Sequence, residues 1–274
     1  MTQPVILTLF SYCLKMLILI AESKTMTLCA DPVAQSVYEK HRPLLEDKAD
    51  DIMLSLRDVD AAALSRAVRI SPRLAVGLQR MIYEFPNKSL GSSAMEAYTG
   101  VVFRAFDYSS LSSDEKSRAT SSVRVISSLY GWLRPDDIIR QYRFDFTTPL
   151  APDRRPFYAY WRDTVTDCLL EDIKQGAHTE VLDLLPADAA KCVDWARIKT
   201  AAAVHKVNFR EMHPGGTFKT PTANRLKTLR GLLLRQIITQ NITDTCALSR
   251  LSSDDYISDA NLTFICERQS ERRK

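Results

Sequence analysis

The side chains with the clearest chemical capacity in this chain are cations placed to bind phosphate. Lys24 and Thr25 close the segment AESKT at 21–25, directly after an apolar run. At the end of a strand they offer an ammonium group and a hydroxyl at the edge of the fold, where a phosphate can reach them. Lys24 can instead pair with Glu22, because residues two apart in an extended segment point the same way. On spacing alone, the ion pair is slightly favoured.

Two further stretches are rich in lysine and arginine. Residues 118–162 contain eight arginines and four aspartates, and residues 206–235 contain seven lysines or arginines and one glutamate. The whole chain has a net charge of only +4, so the remaining residues are net acidic. If the two stretches lie together, they form the basic face that is typical of nucleic-acid-binding proteins. Ordinary solvated faces of helices and strands account for the same counts equally well.

A tight pair of helices is predicted over residues 60–85. Asp60 is a good N-cap for the first helix, and Ser71 followed by proline is a strong start signal for the second. The pair resembles a helix-hairpin-helix, in which amide groups at the turn and a nearby cation contact one phosphate of a DNA backbone. Ser71, Arg66 and Arg73 would make that contact here. The turn lacks the usual glycines, and an ordinary αα-corner has the same pattern.

The sequence has none of the common catalytic or cofactor motifs. It lacks G-x-G-x-x-G, a Walker loop, H-E-x-x-H and G-x-S-x-G. Its four histidines and six cysteines are scattered, and no cysteines are spaced as C-x-x-C. We therefore expect no catalytic residue, no metal and no cofactor, and reduced thiols typical of a cytosolic protein. A peroxide-sensing thiol is the less favoured interpretation of the cysteines.

Two other classes of function stay open. One is an enzyme in which Lys24, Thr25, Tyr130 and Arg134 act on a small anionic or nucleotide substrate, and their convergence in a deep pocket would favour it. The other is direct sequestration of iron. No cluster of histidine, cysteine or carboxylate at ligand spacing supports it.

The elements that must position these groups are helices and strands mixed along the chain. Because there is no linker and no internal repeat, the sequence predicts one α+β domain over residues 16–270. The predicted strands are at 16–20 and 180–185. The predicted helices are one at 32–57 interrupted by Pro43, the helix pair at 60–85, and two more at 157–173 and 224–239. Hairpins are predicted over 201–219 and 254–268, with turns at HPGG and at 258–261.

Residues 1–15 are interpreted as an N-terminal extension from an early start, with Met16 as the alternative start. The apolar run there is interrupted by Lys15, and its uninterrupted part is too short to span a bilayer. It has neither a basic region before it nor a small-residue cleavage pattern after it. A weak membrane or export segment is the alternative.

The stretch SSLYGWLRPDDIIRQYRFDF at 127–146 is the most compact structural signal in the chain. A helix that begins at Ser113 is predicted to run into this corner, where Gly131 can take the left-handed conformation that ends it. Apolar and charged residues alternate over 142–146, which predicts a half-buried strand. The corner would hold its arginines in fixed directions.

Several segments taken together resemble the YaaA peroxide-stress family. MLILIAESKT at 16–25 resembles that family's opening strand and loop, MLILISPAKT. VRVISSLYGWLRPDDIIRQYR at 123–143 resembles its core, LSGLYGVLRPLD…PYR, and is the most specific match. Further matches in chain order are AYTG at 97–100, FYAYW at 157–161, KTLRGLLLRQII at 227–238 and YISDANLTFICER at 256–268.

The resemblance implies both a fold and a function. The fold is a single mixed α/β domain of unusual topology, with a helix-hairpin-helix element and a basic cleft. The function is that of a cytoplasmic protein that binds double-stranded or branched DNA without sequence specificity, and that protects against hydrogen peroxide by limiting the damage done by intracellular iron. We further expect a monomer that does not bind membranes.

The same resemblance guides the choice of DNA-binding residues. They fall into two groups, one in the cleft and one at the helix pair. The cleft group is Lys24, Thr25, Arg134, Arg143, Lys227 and Arg230, and the helix-pair group is Arg66, Ser71 and Arg73. Arg140 lies outside the matched motif and is not included. The chain departs from the family at Glu22, a carboxylate that would weaken an anion site, and at DLLPA in 183–187, where the family has Asn-Leu-Ala-Ser.

Overall fold

The computed structural model describes residues 16–28, 31–213, 216–253, 256–258 and 262–267. The extension expected at 1–15 lies outside these residues, as do Cys13 and Cys29. The helices are α1 (Gln35–Lys40), α2 (Glu46–Ser55), α3 (Ala61–Val68), α4 (Pro72–Glu84), α5 (Ala94–Ala97), α6 (Val101–Phe106), α7 (Ser113–Ser122), α8 (Phe157–Gln175), α9 (Trp195–Ile198), α10 (Ala223–Thr239) and α11 (Thr245–Leu248). The strands are β1 (Met16–Ala21), β2 (Gly91–Ser93), β3 (Val123–Ser127), β4 (Gly131–Leu133), β5 (Ile138–Arg140), β6 (Glu180–Asp183), β7 (Ala203–Lys206), β8 (Asn208–Met212), β9 (Phe218–Lys219), β10 (Ser252–Ser253), β11 (Tyr256–Ser258) and β12 (Thr263–Glu267).

A five-stranded sheet in the order β4-β3-β1-β6-β7 forms the centre of the fold. β1 pairs in parallel with β3 on one side and with β6 on the other, while β4 is antiparallel to β3. The side chains of residues 16–20 are all buried, which explains why this strand is one continuous apolar run. The strands predicted at 16–20 and 180–185 are confirmed, although β6 ends at Asp183.

The strand order of this sheet reverses at β1. The chain passes from β1 to β3 on one side, crosses to β6 on the other side, and continues outward to β7. The connections that leave the carboxyl ends of β1 and β6 therefore diverge and leave a crevice between them. In open α/β sheets, ligands bind at such a topological switch point.

A second five-stranded sheet has the order β10-β11-β12-β8-β9. The antiparallel pairs β8–β9 and β11–β12 confirm the two predicted hairpins, whereas parts of their turns, 214–215 and 259–261, lie outside the described residues. The prediction of one strand over 201–212 is wrong. The amide of Val207 donates to Asp183 in the first sheet and that of Asn208 to Leu262 beside the second, so the chain changes sheets there.

The predicted helices are confirmed in most of their length. Pro43 lies between α1 and α2 and divides the helix expected at 32–57. The Asp60 side chain caps α3 by accepting a hydrogen bond from the Ala63 amide at 2.7 Å, and the Ser71 hydroxyl accepts one from the Leu74 amide of α4 at 3.4 Å. The helices expected at 157–173 and 224–239 are α8 and α10.

The prediction of a helix from Ser113 through the corner is wrong. α7 ends at Ser122 and the chain continues as β3, because the β-branched residues of its sequence VRVIS favour an extended backbone beside β1. The corner is a turn in which Gly131 has φ +68°, and a Cβ there would lie 2.6 Å from the ring of Trp161. Glycine is therefore required at this position.

Residues 142–146 form no strand, which corrects a further prediction. Tyr142, Phe144 and Phe146 are buried and the two residues between them are half-buried, so the predicted alternation is present. The backbone, however, has no pairing strand, since a period of two reports which way side chains point and not whether a partner exists. The strand lies just before it, where β5 pairs with β2.

The mixture of helices and strands that the sequence predicts is confirmed. One cluster of buried side chains extends from β1 to β12. Within the described residues, no helix combines the length and the apolar character needed to cross a bilayer.

Candidate functional site

A pocket lies at the switch point between the carboxyl ends of β1 and β6. This switch-point pocket encloses about 420 Å³. Its walls come from the segment 21–25 after β1, from residues 100–104 at the start of α6, from Phe146, from Pro186 and Asp188 after β6, and from Lys227 of α10. Lys24, Thr25 and Lys227, three residues predicted from the sequence, are thus brought to one cavity.

The loop that carries Lys24 and Thr25 is fixed to the segment before α6. The Thr99 amide donates to the Thr25 carbonyl at 3.0 Å, and the Thr27 amide donates to the Ala97 carbonyl at 2.9 Å. Both Lys24 and Thr25 remain exposed. A backbone held at two points presents their side chains to a ligand with little loss of conformational entropy.

Lys24 does not pair with Glu22, contrary to the sequence-based expectation. Its ammonium group lies 2.5 Å from Oδ2 of Asp145. Glu22 is half-buried in the wall of the switch-point pocket, and its Oε2 accepts from the Ser128 amide at 2.8 Å and its Oε1 from the Ser128 hydroxyl at 2.5 Å. The Glu22 amide donates to the carbonyl of Ile126, which holds the backbone of Glu22 beside the end of β3.

The Glu22 carboxyl group is the end of a buried hydrogen-bond network. The Tyr142 hydroxyl donates to Glu22 and lies 2.6 Å from the Tyr98 hydroxyl and 2.7 Å from the Ser127 hydroxyl. Burial raises the pKa of Glu22 to about 7, although its hydrogen bonds from Ser128 and Tyr142 oppose the rise. The same burial, and then the nearby Glu22 charge, raise the pKa values of Tyr98 and Tyr142 well above 10.

A second depression lies beside the pocket and shares Lys24 with it. This helix-pair groove encloses about 320 Å³ and is lined by Lys24, by residues 67–70 at the end of α3, and by residues 143–145 and 147–149. Arg143 enters it and donates to the carbonyl of Lys24 at 3.1 Å. The structure therefore brings the helix pair, Arg143 and Lys24 together.

The turn of the helix pair differs from a phosphate-binding hairpin in its backbone. Arg69 takes the left-handed conformation with φ 57°, and the amides of Arg69 and Ile70 both donate to the carbonyl of Ser65. Those two amides are therefore occupied within the turn. What the turn presents outward are the exposed side chains of Arg66, Arg69 and Arg73.

α10 holds Lys227 against the other side of the pocket, whereas Arg230 does not line it. A Cβ on Gly231 would lie 2.3 Å from the carbonyl oxygen of Val102, so glycine at 231 allows the close approach of α10 to α6. Lys227 is exposed, whereas Arg230 is half-buried and faces Asp183 and Asp188. Burial lowers the pKa of Arg230, and the two carboxylates oppose that change.

Arg134 does not join these residues. It follows β4, whose antiparallel register with β3 directs it towards the amino end of the sheet, away from the loop at 22–25. It lies exposed with its guanidinium 5.4 Å from the centre of the Trp132 ring. Tyr130 is buried, and its hydroxyl accepts from the Arg140 amide at 3.0 Å. The set Lys24, Thr25, Tyr130 and Arg134 suggested for an enzyme therefore does not converge.

Several cations counted in the two basic stretches have internal partners. Arg124 forms a bidentate pair with Asp172 at 2.8 and 2.9 Å, and Arg140 bonds Glu46 and Asp50 at 2.8 Å each. Arg235 donates to the carbonyls of Phe106 and Asp107. The basic surface is therefore smaller than the charge counts indicate, since a count does not distinguish buried pairs from exposed cations.

The cysteines lie in different environments. Burial raises the pKa of the Cys168 thiol to about 11 and raises that of Cys192 further, which makes both poor nucleophiles at neutral pH. Cys246 is exposed. The described part of the chain holds no group of three or more histidine, cysteine or acidic side chains that could bind a metal ion.

Two site residues were missed by the sequence-based selection. Arg69 lines the helix-pair groove and Arg104 lines the switch-point pocket. Arg69 could have been chosen, since it lies within the predicted turn beside Ser71. No feature of the sequence indicated Arg104, because only the packing of α6 against the loop at 22–25 brings it to the pocket.

Comparison with known proteins identifies a consistent set of relatives. A family model described as peroxide stress protein YaaA matches residues 16–262. A UPF0246 protein of Parabacteroides distasonis is 29% identical over 244 residues, which are 88% of this chain and 93% of the relative. A UPF0246 protein of Burkholderia ambifaria is 31% identical over 225 residues, which are 80% of this chain and 85% of the relative. A UPF0246 protein of Shewanella baltica is 28% identical over 264 residues, which are 93% of this chain and 100% of the relative.

Proposed function

Since this chain belongs to the peroxide stress protein YaaA family, we propose that it protects cells against hydrogen peroxide by binding DNA and by limiting the damage that intracellular iron causes. We propose further that it acts in the cytoplasm as a monomer. Its partner is duplex or branched DNA, which it contacts through the phosphate backbone and without sequence preference.

The observation that carries the proposal is the helix-pair groove. Lys24 and Arg143 lie in the groove, and Arg66, Arg69 and Arg73 are exposed at the turn of the helix pair that borders it. Backbone contacts of this kind position a protein on DNA without reading bases. Because the turn amides of Arg69 and Ile70 donate to Ser65, the phosphate contacts are assigned to the arginine side chains.

A binding titration against salt concentration tests the DNA-binding part. If about four cations contact phosphates, affinity should fall by about 100-fold between about 50 and 200 mM salt. Duplex, single-stranded and branched DNA should be compared. A flat response to salt, or no binding at low salt, would contradict the proposal.

Reversing the charges at the turn tests whether its arginines contact DNA. Replacing Arg66, Arg69 and Arg73 with glutamate should weaken binding of every DNA sequence alike, since no base is read. The matched control is Lys199→Glu, an exposed cation just before β7, at the amino end of the sheet. Arg134→Glu asks whether the DNA path extends beyond the groove to that end as well. An equal loss per reversed charge in the triple variant and in Lys199→Glu would overturn the assignment.

The cellular part of the proposal needs its own measurement. Cells lacking the protein should survive hydrogen peroxide less well and should hold more unincorporated iron. Complementation with the wild-type chain should restore both quantities, and the triple arginine variant should restore neither. Full rescue by that variant would separate peroxide protection from DNA binding.

A further inference from the structure

The switch-point pocket contains a group that binding of a DNA backbone does not use. Glu22 lies in the pocket wall with its carboxyl group held by Ser128 and Tyr142. A carboxylate repels phosphate, so it adds nothing to an electrostatic groove. A buried acid that is fixed by three donors is, in contrast, a typical means of orienting one polar group of a ligand.

The two oxygens of the Glu22 carboxyl group carry unequal numbers of hydrogen bonds. Oε2 accepts two hydrogen bonds, from the Ser128 amide and from Tyr142, whereas Oε1 accepts one, from the Ser128 hydroxyl. A carboxylate offers about four acceptor positions. Oε1, the oxygen with fewer hydrogen bonds, is the one that can accept an N–H of a ligand, and a protonated carboxyl can donate to a ring nitrogen or carbonyl instead. Burial raises the pKa of Glu22 to about 7, so both forms exist near neutral pH.

The remaining wall of the pocket combines apolar surface with cations. Val101, Val102 and Phe146 supply apolar side chains, and Lys24 and Lys227 supply ammonium groups. Lys227 forms no ion pair within the described residues, which leaves its charge available to a ligand. The volume of about 420 Å³ lies near the lower end of the range of about 300–1,000 Å³ for small-molecule sites.

We propose that the switch-point pocket binds a single nucleotide, with its phosphate at Lys227 and Lys24 and the hydrogen-bonding edge of its base at Glu22. A flat ring with polar edge atoms and an attached phosphate matches an apolar wall, a buried carboxyl group and cations in one cavity. The nucleotide is either a free nucleoside monophosphate or one unstacked from a DNA strand. The second source rests on the proposed DNA binding, because the pocket and the helix-pair groove share Lys24.

Titration of the whole protein with nucleoside monophosphates and with inorganic phosphate tests the free-ligand arm. Nucleotides should bind about tenfold more tightly than phosphate, as expected for a hydrogen bond to a charged group in a water-poor site. Glu22→Gln should lower this ratio, because it changes the group that contacts the base. Lys227→Met should weaken nucleotide and phosphate alike, while Lys199→Met should weaken neither. If the wild-type protein binds nucleotides and phosphate with nearly equal affinity, the pocket binds any anion, and the proposed contact between Glu22 and the base of a free nucleotide is wrong.

A DNA arm distinguishes the two sources. Duplexes with one extrahelical nucleotide should bind more tightly than matched duplexes in which that nucleotide lacks its base, and Glu22→Gln should remove the difference. If free nucleotides do not bind but this difference in DNA affinity is present, the pocket takes its nucleotide from a DNA strand. If the triple arginine variant loses DNA but retains mononucleotides, the groove and the pocket act separately. Absence of both signals refutes the nucleotide site, whatever the affinity for plain duplex.

A second variant tests the pocket without changing Glu22, in case Glu22→Gln impairs folding. Val101→Trp places a large side chain at the pocket wall and leaves the Glu22 network untouched. It should abolish nucleotide binding with an unchanged unfolding midpoint. Retained binding in a folded Val101→Trp protein would contradict the pocket as the site.

Discussion

Arg140 and Arg143 are three residues apart in one basic stretch, yet they belong to two different kinds of environment. Arg140 is 2% exposed and donates to Glu46, Asp50 and the carbonyl of Phe85. Arg143 is half-buried at the rim of the helix-pair groove, and its hydrogen bond to the Lys24 carbonyl is to a neutral group. One cation is neutralised by acids within the fold, and the other keeps its charge for solvent or for a ligand.

The difference shows how a chain of low net charge can still present a basic surface. Some of the acids that neutralise cations are buried, as in the pairs Arg140–Glu46 and Arg124–Asp172. At the groove, the ion pair is Lys24–Asp145, and the Lys24 side chain is 59% exposed. An exposed pair contributes little to stability and exchanges readily for another anion. Location of the acids therefore decides which cations are available.

The largest expected effect concerns the Arg140 environment. Arg140→Met should lower the free energy of unfolding by about 3–5 kcal/mol, because it removes the one buried cation that pairs with Glu46 among the described residues and leaves this buried acid only the more exposed Arg42 and Lys88. Arg143→Met should change it by no more than about 1 kcal/mol. Denaturant unfolding of both variants measures the contrast. Similar losses in the two variants would show that the two environments do not differ in this way.

The next effect is the dependence of stability on pH at Glu22. Its pKa is raised from 4.5 to about 7 in the folded protein, so its contribution to stability is full below about pH 4.5 and is lost as pH rises through 7. Glu22→Gln has no such loss and should be more stable than the wild type by about 3 kcal/mol at pH 8, with the difference shrinking towards acid pH. Unfolding curves across this range measure it. Glu96→Gln, at the exposed surface of α5, is the matched control, and a constant difference for Glu22→Gln would contradict the prediction.

A smaller effect is expected on DNA affinity at Arg143. Arg143→Met should weaken duplex binding by about tenfold at low salt and should reduce the slope of log affinity against log salt by about one, as for the loss of one phosphate contact. Arg143→Lys should recover most of the affinity, because the charge is retained. Fluorescence anisotropy with a labelled duplex measures both. An unchanged slope would exclude Arg143 as a phosphate contact.

The smallest expected effect is a gain at Asp145. Oδ1 of Asp145 accepts from Thr147, whereas Oδ2 pairs with Lys24. Asp145→Asn can keep the first set of hydrogen bonds and removes the charge that competes for Lys24. DNA affinity at low salt should rise by about two- to threefold, a change typical of an exposed ion pair. Asp153→Asn, at an exposed acid paired with Arg155, serves as the control.

Local sequence signals predicted the elements that depend on local physics. Capping residues and proline located α3 and α4, and the apolar run located β1, because both act through the backbone near them. The same reasoning failed at β3, where pairing with β1 decides the structure, and at 142–146, where no partner strand is present. Lys24 and Arg143 were predicted in one cleft through the family resemblance, whereas the helix pair was predicted as a separate group of DNA contacts and its place beside them was not foreseen. Glu22 as a buried acid was not, since its environment comes from Ser128 and Tyr142, more than 100 residues away.

The position of Lys24 between the groove and the pocket has a thermodynamic consequence. If both depressions bind as proposed, one ammonium group serves two ligands, and a phosphate that draws it towards the groove removes it from the pocket. The affinities are then linked, and the factor by which DNA weakens nucleotide binding must equal the factor by which the nucleotide weakens DNA binding. Titrating each ligand in the presence of the other measures the same free energy twice. Occupancy of the pocket by nucleotides would thus adjust how firmly the chain holds DNA.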